Sequence, residues 1–416
     1  MCAGFVIICY HSKMKNRFVE LDILRFVAAL LVVIYHYFYF ATHTIVFYRP
    51  DFDYDFNFLN IFNFNLSKII DSTTVYGYLG IQIFFIISGF IILYTAENKN
   101  AKSFIVSRVS RLWPAIAIGS TISYILYLLL GHSDHLPDID FVNYIFNFFG
   151  FTITPLRPLF ATNFIYTLLG THLNLEYFDG AMWTLSREVG FYLLILILIF
   201  FKQIKNIAYY AMLWILSSLI TFIVSEQSLN YYIHGPALYL QMDYACFFTT
   251  GIFAYLLFYK NTQTAVSKNR AESISSIIIT FGFVLSIILS IYNVYDQAKV
   301  FNLNHVNNAN PVIASMVFIL AIVFFIKIIH KKEENIERVY SEKTLKYISI
   351  AGGMSYTLYL MHQFNMYRII ANYSNSWTYT HTCIALICVI MATAIIYLYL
   401  EKPLIKWTKN TLEKIL

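Results

Sequence analysis

Three ionisable side chains stand in one apolar stretch near the start of the chain, Asp22, Arg25 and His36. Ionisable groups among apolar neighbours are costly in a bilayer, so each is a functional candidate. Asp22 and Arg25 are three apart and share a helix face. Arg25 and His36 are eleven apart. On an α-helix they differ by only about 20° in azimuth and stand about 16 Å apart along the axis. One face then carries a cation near its start and an imidazole well inside. Alone, His36 reads as a packed core histidine. Its shared face with Arg25 favours proton chemistry, because an imidazole titrates near neutrality. A second stretch, Gly80-Ile81-Gln82-Ile83-Phe84-Phe85-Ile86-Ile87-Ser88-Gly89-Phe90, sets small residues in a bulky helix. They admit either a neighbouring backbone or a slender ligand. Arg108 and Arg111 are three apart at a helix start and can fork onto phosphate oxygens, or else anchor the chain at a membrane face. Glu188 lies near the start of another apolar run, where the helix dipole favours a carboxylate. Arg187 beside it reads as an outer anchor.

The elements that carry these groups follow from composition. The chain has 416 residues, 59% apolar, 19% aromatic and 12% charged. That charge share is about half of what a soluble domain carries. A soluble coat is excluded, and so is disorder. No clustered basic face points to nucleic acid, despite the net charge of +6. Cys2, Cys9, Cys246, Cys383 and Cys388 are odd in number and read as small apolar residues. Ten runs are apolar enough to span: 20–41, 76–95, 111–130, 183–201, 206–225, 237–259, 275–292, 311–329, 350–370 and 382–402. The expectation is an all-α integral membrane bundle of about ten transmembrane helices with both termini cytoplasmic. Placed this way, twenty-two Lys and Arg fall on the inner side and six on the outer. Residues 1–16 read as an N-terminal extension, with 1–13 of little functional weight. The membrane domain runs from 17 to 407, and 408–416 form a tail. Two outer connections are long, 42–75 and 131–182. The first, with its Asp and aromatic residues, is either an interfacial anchor or a lip for sugar rings. The second has apolar patches too short to span. His132, His135, Asp134, Asp138 and Asp140 mimic a ligand cluster, but without a second matching group no metal is expected.

These segments together resemble the acyltransferase 3 family of membrane O-acyltransferases, from about residue 17 to 407. The Arg-x10-His pair is Arg25 and His36, within Leu-Asp-x-Leu-Arg-x-x-Ala (Leu21 to Ala28). The Phe-Phe-x-x-Ser-Gly-Phe stretch runs from Phe84 to Phe90. The Arg-x-x-Arg motif is Arg108 and Arg111, followed by Pro114. The Trp-Ser-Leu-x-x-Glu-x-x-Phe-Tyr motif runs from Trp183 to Tyr192, with Thr184 in place of Ser. Ser355 to His362 and Glu401-Lys402-Pro403-Leu404 are similar to later signatures of the family. Gln363-Phe364 stands where a Pro often follows the late His, which favours a packing role for His362.

The resemblance implies transfer of an acyl group, usually acetyl, from cytoplasmic acyl-CoA to a hydroxyl of a surface or exported carbohydrate. It implies a bacterial inner membrane. Under that reading Arg108 and Arg111 hold the CoA phosphates and Arg25 the deeper donor. Ser88 and Gly89 leave room for the pantetheine arm. His36 is the general base or a transient acyl carrier. Glu188 orients the acceptor or tunes His36. Asp22, Trp183, Ser186, Tyr192, Asp243 and His362 have acceptor-side or structural roles. Acyl-CoA is a substrate, and no resident cofactor is expected. With no appended domain expected, transfer is finished in the membrane domain or by a separate partner. The alternatives are succinyl transfer, or a glycan or lipid transporter without acyl chemistry. A transporter would not consume the donor.

Overall fold

The computed structural model describes residues 18–40, 53–55, 66–131, 140–153, 177–225, 244–260, 270–303, 308–330, 340–372 and 376–416. Asp243 and the segment 132–139 lie outside them. Helix α1, Val19–Ile34, runs on into a π-helical turn, Tyr35–Phe40. After strand β1, Asp53–Asp55, come α2, Leu66–Thr74, a 3-10 turn at Val75–Leu79, and α3, Gly80–Ala96. Next are α4, Ala101–Leu130, α5, Phe141–Phe148, α6, Met182–Phe200, and α7, Ile207–Ser225. Helix α8, Ala245–Ala254, ends in a π turn, and α9 is Arg270–Leu303. Helices α10, Pro311–His330, α11, Glu342–Met361, and α12, Gln363–Asn372, follow. Strand β2, Ser376–Thr378, pairs with β1 in parallel. The chain closes with α13, Tyr379–Ile396, a π turn through Glu401, and α14, Lys402–Ile415.

Local chemistry sets the helix ends. The Asn100 side chain caps α4 through the Ser103 N–H at 2.8 Å, and α4 stops at Gly131, whose φ of +82° suits glycine. Asp140 caps α5 through the Asn143 N–H at 2.6 Å, so this member of the acidic cluster has a local duty. Helix α5 takes up residues 141–148 of the apolar patch at 141–151 and is too short to span.

Among the described residues, seven helical segments are long and apolar enough to cross a bilayer. They match the first four expected runs, the seventh, the eighth and the tenth. The fifth and sixth runs fall on shorter apolar helices, 204–220 and 245–260. The ninth run, 350–370, is not one helix. It is broken at His362 between α11 and α12. The carboxylate of Asp179 explains the break, because it accepts the N–H groups of Gln363 and Phe364 at 3.1 and 3.0 Å. Helices α10 and α13 turn Leu320, Phe324, Ile387, Met391 and Ile395 outward, each more than half exposed. Such faces suit lipid rather than water.

Helix α3 is the centre of the bundle. It crosses α8 closely: a Cβ on Gly89 would lie 2.1 Å from the Phe248 carbonyl oxygen, and one on Gly251 would lie 2.0 Å from that of Ile86. The space beside Gly89 is therefore filled by a helix backbone. It does not provide the expected room for a pantetheine arm.

Candidate active site

Two groups of polar side chains are buried between α1, α3, α6 and α11. The first is a pair of histidines. His36 sits in the π turn that ends α1, a local form found at functional sites. His362 sits at the break after α11 and is wholly buried. Their rings are 4.9 Å apart, and His362 Nε2 lies 3.0 Å from His36 Nδ1. His362 Nδ1 lies 2.8 Å from the Tyr359 carbonyl oxygen, and His36 Nδ1 lies 3.0 Å from that of Val32. A carbonyl only accepts, so His362 carries its proton on Nδ1 and presents a lone pair at Nε2. That lone pair and the Val32 carbonyl share the Nδ1 proton of His36. The lone pair of neutral His36 is then on Nε2, where a general base needs it. His362, for which packing was favoured among acceptor-side or structural roles, is in direct contact with His36.

The second group centres on Glu188, which is 3% exposed. Its carboxylate accepts three hydroxyl bonds, from Ser88 at 3.2 Å, from Tyr192 at 2.6 Å and from Tyr356. They come from α3, α6 and α11. The partners of Glu188 in the described structure are these hydroxyls rather than His36. Three arginines lie against aromatic rings around this group. Arg108 covers Tyr192 at 5.5 Å and donates to Thr95 Oγ1 at 3.2 Å. Arg111 covers Tyr356 at 5.1 Å and reaches the Gly352 carbonyl at 3.4 Å. Arg25 pairs with Asp22 at 3.7 Å and faces the Phe84 ring at 5.8 Å. Cation–π contacts of this kind hold a guanidinium in place without cancelling its charge.

Tyr356, Tyr359 and His362 connect the two groups along α11. Successive members are three residues apart and neighbours on the helix, and the three span about 9 Å to its C-terminal end. The Thr184 hydroxyl is 3.0 Å from the Tyr359 phenol, and Phe84 stacks on the Tyr359 ring with centroids 6.3 Å apart. A small cavity of about 10 Å³ lies between Phe84, Phe85, Thr184, Leu185, Tyr356 and Tyr359. A larger cavity of about 350 Å³ opens on the far side of Tyr192, lined by Phe104, Arg108, Leu112, Trp113, Val189 and Leu196 among others. In the turn between α3 and α4, burial and the charges of Arg108 and Lys409 lower the Lys99 ammonium to about 8.

The remaining expected residues take local positions. Trp183 packs on Tyr244 with centroids 5.4 Å apart. Ser186 donates to the Trp183 carbonyl of its own helix at 2.6 Å. Glu401 is fully buried and accepts from the Thr357 hydroxyl. Asp179, also fully buried, was not among the expected site residues. Its signal was present, an Asp-Gly turn pair three residues before the apolar run of α6.

Comparison with known proteins gives the family of the chain. Nodulation protein 10 of Rhizobium leguminosarum bv. viciae is 29% identical over 136 residues, covering 31% of this chain and 36% of that protein. The aligned stretch is thus about a third of that relative's length. No solved structure matches the chain. The sequence model described as an acyltransferase domain matches residues 18–401, nearly the whole helical assembly with both polar groups, and the chain belongs to this acyltransferase 3 family.

Proposed function

We propose that this protein is a membrane O-acyltransferase that moves an acyl group, acetyl in the simplest case, from cytoplasmic acyl-CoA to a hydroxyl of a surface or exported carbohydrate. The observation that carries this reading is the histidine pair, which leaves a basic nitrogen on His36. In the proposed step the acceptor hydroxyl oxygen attacks the thioester carbonyl while His36 Nε2 takes the hydroxyl proton. The C–S bond breaks, the acyl group stays on oxygen, and the proton returns from His36 to the departing CoA sulfur. While His36 is an imidazolium, His362 Nε2 and the Val32 carbonyl accept from its Nδ1–H, the orienting role that a third group plays beside a catalytic base.

Arg108 lines the larger cavity and is the residue for a CoA phosphate, as a planar donor of several N–H groups. Arg111 and Arg25 bring positive charge nearer to Phe84 and Tyr356, where the thioester end of the donor would pass. Glu188 holds Ser88, Tyr192 and Tyr356 in one arrangement along that path. The full topology belongs to the same proposal: ten spans in a bacterial inner membrane, both termini in the cytoplasm, and Asp243 toward the acceptor side. Purified protein in lipid nanodiscs, given radiolabelled acetyl-CoA and a carbohydrate acceptor, tests the reading. Wild-type protein should label the acceptor and release CoA. His36→Ala should lower the rate by about 10²–10⁴-fold, the worth of one base. An unchanged rate in His36→Ala would remove the mechanism.

A further inference from the structure

We propose that Asp179 is a positioning residue for the histidine pair: by taking the N–H groups of Gln363 and Phe364 it opens the helix at His362, leaves the Tyr359 carbonyl to His362 Nδ1, and so directs the His362 lone pair onto His36. Asp179 lies in the turn before α6 and is fully buried. Its Oδ1 accepts the Ala181 N–H at 3.0 Å, and its Oδ2 accepts those of Gln363 and Phe364 at 3.1 and 3.0 Å. In an unbroken α-helix the Gln363 N–H would bond to the Tyr359 carbonyl, and the Phe364 N–H to that of Leu360. Asp179 takes both donors. The Tyr359 carbonyl is then the acceptor for His362 Nδ1 at 2.8 Å. That bond places the proton on Nδ1 and the lone pair on Nε2, 3.0 Å from His36.

The turn can come this close because residue 180 is glycine. A Cβ there would lie 2.5 Å from the Gln363 side-chain oxygen and 2.9 Å from the Phe364 ring. Helix α12 is fixed independently of Asp179, through Ser123 and Asn365 at 2.8 Å. Loss of Asp179 should therefore change the break at His362 while α12 keeps its anchor on α4. The catalytic consequence rests on the acyl-transfer reading. The consequence for the His362 tautomer does not.

The test uses the full chain in nanodiscs, with ¹⁵N-labelled histidine and nitrogen NMR of the imidazoles. Asp179→Asn keeps the size of the side chain but replaces one acceptor oxygen by an NH₂ donor. It should shift His362 away from the Nδ1–H tautomer and lower kcat by about 10²-fold, the cost of a misplaced catalytic group. KM for acyl-CoA should stay within about twofold. Asp179→Glu keeps both acceptor oxygens on a longer side chain and serves as the conservative variant. It should hold the His362 tautomer closer to that of wild type than Asp179→Asn does, with kcat following the Nδ1–H fraction across the variants, which a merely structural role does not predict. In a His362→Ala background, Asp179→Asn should cost nothing further in rate.

Unmoved His362 resonances in Asp179→Asn would overturn the proposal, as would additive rate losses with His362→Ala. If Asp179→Asn does not accumulate, Asp179→Glu takes its place, and a loss of kcat in it with an unshifted His362 tautomer would overturn the proposal. If wild-type protein consumes no acyl-CoA, the acyl-transfer reading fails, and the imidazole spectra alone decide the role of Asp179.

Discussion

Glu188 is a carboxylate that binds only hydroxyl groups in the described structure, from Ser88, Tyr192 and Tyr356. Hydrogen bonds to a charged acceptor are stronger than neutral ones, and a buried donor left without its acceptor is costly. Glu188→Gln changes one acceptor oxygen into a donor that faces at least one of these hydroxyls. We expect it to lower stability by about 1–3 kcal/mol. Thermal unfolding of the detergent-solubilised protein checks this, and an unchanged midpoint would mean that the three hydroxyls find water instead. Acyl transfer should also fall, because Ser88 and Tyr356 lose their common partner. At this scale much of the site was legible in the sequence. His36, Arg25, Arg108, Arg111 and Glu188 stood out as ionisable groups in or beside apolar runs. The contact of His362 with His36 did not, because the two are 326 residues apart and no spacing rule relates them. Of the partners of Glu188, Tyr192 is four residues along the same helix and follows from spacing, whereas Ser88 and Tyr356 come from two other helices whose packing no local pattern encodes.

The turn between α3 and α4 brings Lys99 near Arg108 and, from α14, near Lys409. Helix α14 reaches this region by packing along α4, where Trp407 and Trp113 meet with centroids 6.4 Å apart. Gathered cations of one sign suit an anion such as a CoA phosphate. Burial disfavours the charge of Lys99, and its cationic neighbours add to this, so Lys99 falls to about 8. The sign of the consequence is fixed. As pH rises through about 8, Lys99 in the folded protein loses its proton, well before an ordinary lysine would. The affinity for CoA should therefore fall between pH 7 and 9. Lys99→Arg, which keeps its charge across that range, should flatten the profile. Titration calorimetry with CoA at several pH values measures this, and a profile that is flat in wild-type protein would exclude Lys99 from the donor site. The elements themselves were largely legible, because apolar runs of about twenty residues leave few alternatives to a helix. The break in the ninth run was not. Residues 350–370 read as one span, and only the distant Asp179 carboxylate explains why the ladder opens at His362.

Across the whole molecule, the number of crossings and the sides of the termini are linked by parity. Seven helical segments among the described residues are long and apolar enough to cross, and seven crossings alone would put the two ends on opposite sides. The runs 206–225, 237–259 and 350–370 decide the matter. The first two hold shorter apolar helices, and the third holds the broken pair α11 and α12. A broken helix can still cross when protein surrounds the freed backbone groups. Here the Asp179 carboxylate accepts two freed N–H groups, the Tyr359 and Met361 carbonyls meet the side chains of His362 and Asn365, and His362, Ser355 and Thr357 are fully buried. We therefore expect all three runs to cross, giving an even count. The distribution of basic residues argues for the same outcome, since twenty-two Lys and Arg would fall on the inner side if ten spans place both termini there. Compartment-sensitive reporters fused before residue 18 and after residue 416 should both read cytoplasmic. One inserted in the connection 131–182 should read external. Opposite signals from the two termini would mean an odd count, and would put the Arg108 end of the site and α14 on different sides of the membrane. That outcome conflicts with the packing of α14 along α4. The terminal reporters thus test the ten-span topology and this helix pairing together.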